Sequence, residues 1–144
     1  MALAIVAHAE VMYLLDTNII SELRRPRPHA SLVAWLSGTA PEQVFISAVT
    51  LGELQAGVEN ARQRDAARSE LIESWIDSVA ASYSVLPMDA GAFRCWARLM
   101  DGKPADLIAD AMIAATALVH NLTVATRNLR DFKRLGVPAF NPFS

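Results

Sequence analysis

Cysteine is almost absent from this sequence, and long apolar runs are absent altogether. The single cysteine, Cys95, excludes an internal disulfide framework and a cysteine-based zinc site. It fits a reducing compartment, and we expect a cytoplasmic protein. No apolar run reaches the ~18 residues that a membrane-spanning helix needs, so the sequence predicts no association with a membrane.

Net charge is low as well. The 144 residues carry 13 bases and 15 acids, for a formal charge of −2. A net-negative chain is not a bulk nucleic-acid coat protein, so nucleic-acid binding would have to be local or supplied through a partner. Most of the bases are arginines, whose planar forks suit phosphate and carboxylate groups. At 53% hydrophobic residues, the chain is also not disordered or low in complexity.

The length corresponds to one domain, at roughly 150 residues per domain. Residues 1–11 (MALAIVAHAEV) are apolar but have no basic segment, so they make a poor signal peptide. A clear strand pattern starts at Met12. We therefore expect residues 1–11 to be an N-terminal extension, with Met12 as the natural start, and residues 12–144 to form a single domain.

Strand patterns alternate with helical patterns along the chain. We predict strands at 12–16, 44–46, 83–86, 122–126 and 137–140. We predict helices at 19–23, 31–37, 48–60, 66–81, 90–100, 105–120 and 128–135. This alternation predicts an α/β fold, in which a parallel sheet is covered on both faces by helices.

Polar residues follow two of these strands, where sites in parallel sheets gather. Residues 16–18 (DTN) follow the first strand, and residues 126–128 (TRN) follow the fourth. Two further acids, Glu53 and Asp110, interrupt the apolar patterns of helices. A carboxylate in a helix as apolar as that around Asp110 is costly unless it has a partner.

Each polar residue also has a structural interpretation. Asp16 could end its strand in an Asx-turn, with Thr17 and Asn18 capping the next helix. Glu53 fits a capping box that starts at Thr50. Asp106, after a proline, fits an N-cap, as does Asn128, and Asp110 could lie in a buried ion pair.

Taken together, the acids favour a metal site. Carboxylates without a set of His and Cys residues are hard oxygen ligands that suit Mg²⁺ or Mn²⁺. The histidines His8, His29 and His120 are scattered and form no zinc pattern. The sequence also has no nucleophile elbow, phosphate loop or dinucleotide-binding glycine pattern.

Five motifs stand in a fixed order within residues 12–144. They are 14–22 (LLDTNIISE), 46–57 (ISAVTLGELQAG), 109–117 (ADAMIAATA), 123–128 (TVATRN) and 137–143 (VPAFNPF). In this order and at these separations, the sequence resembles PIN-domain ribonucleases, specifically VapC-type toxins of toxin–antitoxin pairs and their FitB-like branch. The resemblance implies a three-layer α/β/α PIN-like fold with a central parallel sheet.

The resemblance also implies a catalytic set of acids around Mg²⁺ or Mn²⁺: Asp16, Glu53 and Asp110. Many members have a fourth acid directly after the Thr-Arg pair, where this chain has Asn128. Asp106 or Asp131 could supply the missing charge, and Asn128 itself could still ligate. This departure leaves a second metal open.

The implied activity is endonucleolytic cleavage of RNA, in which a water activated by the metal attacks a phosphodiester. Thr17, Asn18 and Thr126 would orient ligands or waters. Several arginines are candidates for contacts with RNA phosphates, and a solvated surface is the alternative for each: Arg24, Arg25, Arg27, Arg127 and Arg130.

The family further implies a homodimer and a cognate antitoxin, whose C-terminal segment lies in the groove at the acids and which also binds promoter DNA. Two other classes of function compete with a toxin. Asn128 keeps open a catalytically weak or inactive module that docks antitoxin or RNA. A phosphatase of the haloacid-dehalogenase type needs a second Asp two residues after Asp16, where this chain has Asn18, and a lysine, of which there are only Lys103 and Lys133.

Overall fold

Strands and helices alternate along residues 10–144, the part of the chain that this computed structural model describes. The extension expected at residues 1–11 lies, up to residue 9, outside the described residues. The strands are β1 (Tyr13–Leu15), β2 (Val44–Ser47), β3 (Ser84–Leu86), β4 (Thr123–Ala125) and β5 (Ala139–Phe140). The helices are α1 (Thr17–Leu23), α2 (Ala30–Ser37), α3 (Ala48–Arg62), α4 (Ala66–Ser82), α5 (Ala90–Met100), α6 (Ile108–Val119) and α7 (Leu129–Arg134).

The strands form one parallel sheet in the order β3-β2-β1-β4-β5. Leu14 of β1 lies opposite Phe45 of β2 on one side and Val124 of β4 on the other. The chain builds outward from β1 to β3 and then returns to add β4 and β5 on the other side. The direction of winding thus reverses between β1 and β4, and crevices of parallel sheets open at such points.

Neighbouring residues of β1 point to opposite faces of the sheet, as the strand period of two requires. Leu14 packs on one face with Ala114 of α6 and Phe132 of α7. Leu15 packs on the other face with Ile19 of α1 and other residues of the second core cluster. Both leucines are fully buried, so helices cover both faces and the predicted three-layer α/β/α architecture is confirmed.

The start of α1 differs from the prediction. Thr17 is the first helical residue, and the N-cap is Asp16, whose side chain accepts a hydrogen bond from the Thr17 N–H. The expectation that Thr17 and Asn18 cap this helix is therefore wrong. Strand β1 and helix α1 are joined by a single residue, which places the Asp16 carboxylate at the carboxyl edge of the sheet.

The start of α6 differs as well. Residues Ala105–Leu107 form a 3₁₀ turn, and α6 begins at Ile108 rather than at 105. Asp106 is exposed in this turn and makes no capping bond, so its assignment as an N-cap is wrong. The later start places Asp110 in the first turn of α6, where the helix dipole favours negative charge.

The capping-box interpretation of Glu53 is excluded by the start of α3. This helix begins at Ala48, and the side chain of Ser47 caps it by accepting from the Val49 N–H at 3.0 Å. Glu53 therefore lies beyond the first turn, and its side chain does not cap the helix.

No helix within residues 10–144 has the length and apolar character to cross a bilayer.

Candidate active site at the carboxyl edge of the sheet

Asp16 is the most enclosed acid of the site, with 5% of its surface exposed. Its Oδ1 accepts from the Thr17 N–H at 2.7 Å, and its Oδ2 accepts from the Thr126 hydroxyl at 2.8 Å. Burial raises the pKa of Asp16, against the lowering effect of these two bonds, and the charge of Glu53 raises it further. The carboxylate is thus fixed in position by β4 and α1.

Thr17 connects Asp16 to Glu53, and Thr50 lies beside it. The Thr17 hydroxyl donates to Glu53 Oε1 at 2.7 Å, and its oxygen lies 3.0 Å from the hydroxyl oxygen of Thr50. Thr50 is fully buried in α3, while Glu53 is exposed. The sequence did not single out Thr50 as a site residue, although its spacing of three residues from Glu53 places both on one helix face.

Asp110 lies among negative charges. Its pKa is raised to about 6, first by burial and then by the charges of neighbouring acids, in the order Asp16, Asp131, Glu53 and Asp106. No arginine or lysine among the described residues forms an ion pair with it. The buried ion pair that the sequence left open for Asp110 is therefore not found in residues 10–144.

Asn128 takes the N-cap position of α7, as predicted, but its side chain makes no capping bond. Instead its amide donates to Asp131 Oδ2 at 2.8 Å and, weakly, to Asp110 Oδ2 at 3.5 Å. Its backbone N–H donates to the Thr126 hydroxyl at 2.8 Å. The neutral amide thus lies between two carboxylates of the acidic patch, which we define as Asp16, Glu53, Asp110, Asn128 and Asp131.

The donor chemistry of this patch fits a hard divalent cation. Burial and then the charges of neighbouring acids raise the pKa of Asp110, and no arginine or lysine of the described residues pairs with it. The acids are neighbours rather than a closed cage, because no three Asp, Glu, His or Cys side chains of residues 10–144 are close enough to share one ion. The Glu53 side chain is exposed, and its Oε1 accepts from the Thr17 hydroxyl.

Asn18 lies beside this patch at the start of α1. Its amide nitrogen is 3.5 Å from the Thr126 hydroxyl, and its Oδ1 is 3.5 Å from the Arg127 N–H. These long contacts connect α1 to the end of β4. The role of Asn18 in orienting ligands or waters stays a prediction.

The five candidate arginines lie in different environments. The Arg24 guanidinium lies 5.8 Å from the centre of the Trp75 ring. Arg25 and Arg127 both pair with Glu22, a buried acid that the sequence analysis did not single out. Arg27 and Arg130 are exposed.

An open groove of about 450 Å³ begins at Thr17 and Glu53 and runs between α1, α3 and α4. Its far wall contains the apolar side chains Val58, Ile72 and Trp75. The groove is thus lined by Glu53 of the acidic patch and by these apolar side chains.

A family model described as "PIN domain" matches residues 13–138. Together with the parallel sheet and the acids at its carboxyl edge, this match shows that the chain belongs to the PIN-domain family. The predicted membership is confirmed.

Relatives resemble the chain over most of its length. The chain is 39% identical to "Toxin FitB" of Neisseria gonorrhoeae over 92% of its own length and 99% of that protein. It is 34% identical to "VapC ribonuclease Y4jK" of Sinorhizobium fredii, over 92% and 98%. A solved structure, "FitAB bound to IR36 DNA fragment", superposes with a TM-score of 0.79 at 35% identity, covering 92% of this chain and 96% of that one.

Proposed function

We propose that this protein is a metal-dependent endoribonuclease toxin that a cognate antitoxin neutralises. Relatives that match nearly the whole chain are named as a toxin and as a ribonuclease. The observation that carries the proposal is the environment of Asp110: a half-buried carboxylate with a pKa raised to about 6, four acidic neighbours and no cationic partner within residues 10–144. A bound cation would stabilise such a carboxylate more than one that already has a cationic partner.

Asp16, Asp110 and Glu53 are the proposed ligands, and Mg²⁺ or Mn²⁺ is the proposed ion, because carboxylate oxygens suit both. When bound, the ion supplies Lewis acidity, which makes water a stronger nucleophile near neutral pH and stabilises charge on the phosphate oxygens. Asp131 and Asn128 lie next to this set, and Asp106 adds charge nearby.

The hydroxyl groups of the site hold the carboxylates in position. Thr126 donates to Asp16 and accepts from the Asn128 N–H, so it is fixed at both ends. Thr17 donates to Glu53 and contacts Thr50. In the proposed mechanism these contacts orient the ligand oxygens, and Asn18 contributes a further polar contact beside them.

We propose that the antitoxin binds in the groove between α1, α3 and α4. An apolar floor at Val58, Ile72 and Trp75 suits a hydrophobic segment, and Glu53 at the mouth lies where such a segment would crowd the acids. We propose a homodimer that forms a hetero-oligomer with the antitoxin. Because the chain has a net charge of −2, we assign contact with promoter DNA to the antitoxin.

The test is cleavage of total RNA by the purified, partner-free protein in Mg²⁺, in Mn²⁺ and in EDTA. We expect cleavage with either metal and none in EDTA. Asp110→Asn should lower the rate at least ~100-fold, because a ligand of the reacting centre is lost. Asp77→Asn, which removes an exposed acid of α4, is the matched control and should cleave normally.

An inactive binding module is the second candidate, because an amide at Asn128 lies between two acids of the patch. It predicts no cleavage under any metal. Calorimetric titration with Mn²⁺ then separates the two remaining cases. Metal binding without cleavage would indicate a narrow choice of substrate, whereas no metal binding would support the inactive module and end the ribonuclease proposal.

A further inference from the structure

A buried carboxylate lies outside the acidic patch, on the last turn of α1. Glu22 is only 6% exposed, and both of its oxygens have partners. Oε1 lies 3.6 Å from Arg25 Nε and 3.5 Å from Arg127 Nη2, while Oε2 accepts from the His29 N–H at 3.1 Å. Glu22 thus contacts both a neighbour on its own side of the sequence, Arg25, and the distant Arg127.

The C-terminal segment completes the arrangement around Arg127. The carbon at the centre of its guanidinium lies 3.8 Å from the centre of the Phe143 ring, and the His29 ring lies 5.2 Å from the same phenyl group. The Phe143 N–H is fixed by Asn141 Oδ1 at 2.9 Å. Arg127 is therefore held by a carboxylate and by an aromatic face.

This cluster keeps a surplus of positive charge at the surface. Two guanidinium groups share one carboxylate, and the arginine side chains remain 68% and 50% exposed. Each guanidinium uses one long contact to Glu22, so most of the N–H donors of both forks remain available. A planar fork with free donors suits a phosphate group.

The cluster also borders the acidic patch. Arg127 directly follows Thr126, whose hydroxyl donates to Asp16 at 2.8 Å, and the Arg127 N–H lies 3.5 Å from Asn18 Oδ1. An RNA strand bound at the acids would meet repulsion there from its own phosphates. A cationic subsite alongside would offset this repulsion.

We propose that Arg25 and Arg127 form a subsite for an RNA phosphate next to the scissile one, with Glu22 and Phe143 as positioning residues. The identity of the strand rests on the proposed ribonuclease function. Glu22 and Phe143 do not touch RNA: they hold the Arg127 fork in one orientation, so its donors need not be ordered when the strand binds.

The proposal makes a counterintuitive prediction for RNA affinity. Glu22→Gln makes the protein more positive by one charge, which alone would tighten RNA binding, yet we expect binding to weaken about tenfold because both arginines lose their anchor. Glu70→Gln, at an exposed acid of α4, makes the same change in net charge and should not weaken binding. The measurement is fluorescence anisotropy with a short labelled single-stranded RNA, in an Asp110→Asn background that leaves the RNA intact.

The salt dependence gives a second readout that a purely structural role would not change. Arg127→Ala should weaken binding and flatten the plot of log affinity against log salt by about 0.7 per lost phosphate contact. Arg94→Ala, at an exposed arginine of α5, is the matched control and should leave the slope unchanged. Phe143→Leu keeps an apolar side chain but removes the aromatic face, and should weaken binding in the same way as Glu22→Gln.

Thermal unfolding of each variant checks that it is folded. If Glu22→Gln does not fold, Phe143→Leu and Arg127→Ala decide the question. Folded variants that bind RNA as tightly as Glu70→Gln and Arg94→Ala, with an unchanged salt slope, would overturn the subsite and leave the cluster a structural contact. Because binding is measured without cleavage, a wild-type protein that cuts no RNA counts against the proposed function separately.

Discussion

When no metal is present, the charge of Asp110 lowers the free energy of unfolding. Its pKa is raised to about 6 in the folded protein, whereas a carboxyl in the unfolded chain ionises near pH 4. The folded state therefore holds the proton more tightly. The free energy of unfolding should fall as the pH rises from about 4 to about 6 and stay reduced above that range.

Asp110→Asn removes this penalty. In EDTA at neutral pH we expect the variant to be about 1–2 kcal/mol more stable than the wild type, a value discounted for partial exposure to solvent. Near pH 4 the difference should vanish. Urea unfolding at both pH values measures it, with Asp77→Asn as the control for net charge; a variant less stable than wild type at neutral pH would refute this assignment.

Asn128→Asp should lower stability in the absence of metal, whereas Asp110→Asn raises it, because the substitution at Asn128 adds a charge to the acidic patch. The new carboxylate would face Asp131 at a position where the amide now donates at 2.8 Å. We expect a lower melting temperature than the wild type in EDTA and a larger gain from Mg²⁺, because the ion would have a fourth carboxylate beside the proposed ligands Asp16, Glu53 and Asp110. Asn60→Asp, on the exposed side of α3, should show neither effect, and equal behaviour of the two variants would contradict the prediction.

The sequence located some site residues and missed others for a physical reason. Asp16 and Thr126 were predictable, since each follows a buried strand and the carboxyl ends of parallel strands share an edge. Glu22 was not, because its role depends on Arg127 and Phe143, which only the tertiary fold brings to it. The assignment of Asp16, Glu53 and Asp110 as metal ligands remains a prediction that the experiments above test.

At the scale of elements, β1 and α1 are joined by a residue with two tasks. Asp16 caps α1 through the Thr17 N–H and also belongs to the acidic patch. Substitutions can separate the two tasks, since asparagine caps a helix about as well as aspartate, whereas alanine does not.

Asp16→Asn keeps an acceptor for the Thr17 N–H, so it should be more stable in EDTA than Asp16→Ala and still abolish metal-dependent cleavage. Asp16→Ala should lose cleavage and about 1–2 kcal/mol of stability as well, because the Thr17 N–H and the Thr126 hydroxyl lose their acceptor. Urea unfolding and the RNA assay measure the two effects. Cleavage by Asp16→Asn at the wild-type rate would show that the carboxylate serves only as a cap.

The order and type of the elements were predictable from the sequence, but some of their ends were not. Apolar periodicity gave the alternation of strands and helices, and the structure confirms it. The helical pattern predicted at 105–120 begins as a 3₁₀ turn at Ala105–Leu107, and periodicity over three residues does not distinguish 3₁₀ from α geometry. This difference moved Asp110 from the second turn of the predicted helix to the first turn of α6.

At the scale of the whole molecule, opposite charges gather in two places. Asp16 and Asp110 belong to the acidic patch, while Arg25 and Arg127 both contact Glu22 on the last turn of α1. A net charge of −2 does not reveal this local order, so composition could exclude a nucleic-acid coat protein but could not locate the proposed phosphate subsite. The family, confirmed by the match over residues 13–138, could be recognised from the order of the motifs.

A metal that relieves repulsion among the acids should stabilise the whole domain. Binding to the folded state alone raises the melting temperature by about 5–11 °C at ~100-fold excess over the dissociation constant, for a domain of this size. Asp110→Asn should lose most of this gain. Thermal unfolding across a Mn²⁺ series measures it, and an equal gain in wild type and variant would place the ion elsewhere.

The most direct test of the central claim combines that series with RNA cleavage. The rate of cleavage and the melting temperature of the wild-type protein should be measured across the same Mn²⁺ concentrations. The account predicts that the rate is zero in EDTA and that both quantities rise together, because the ion that relieves Asp110 is the ion that supports cleavage. Cleavage that persists in EDTA, or that survives in Asp110→Asn, would contradict it.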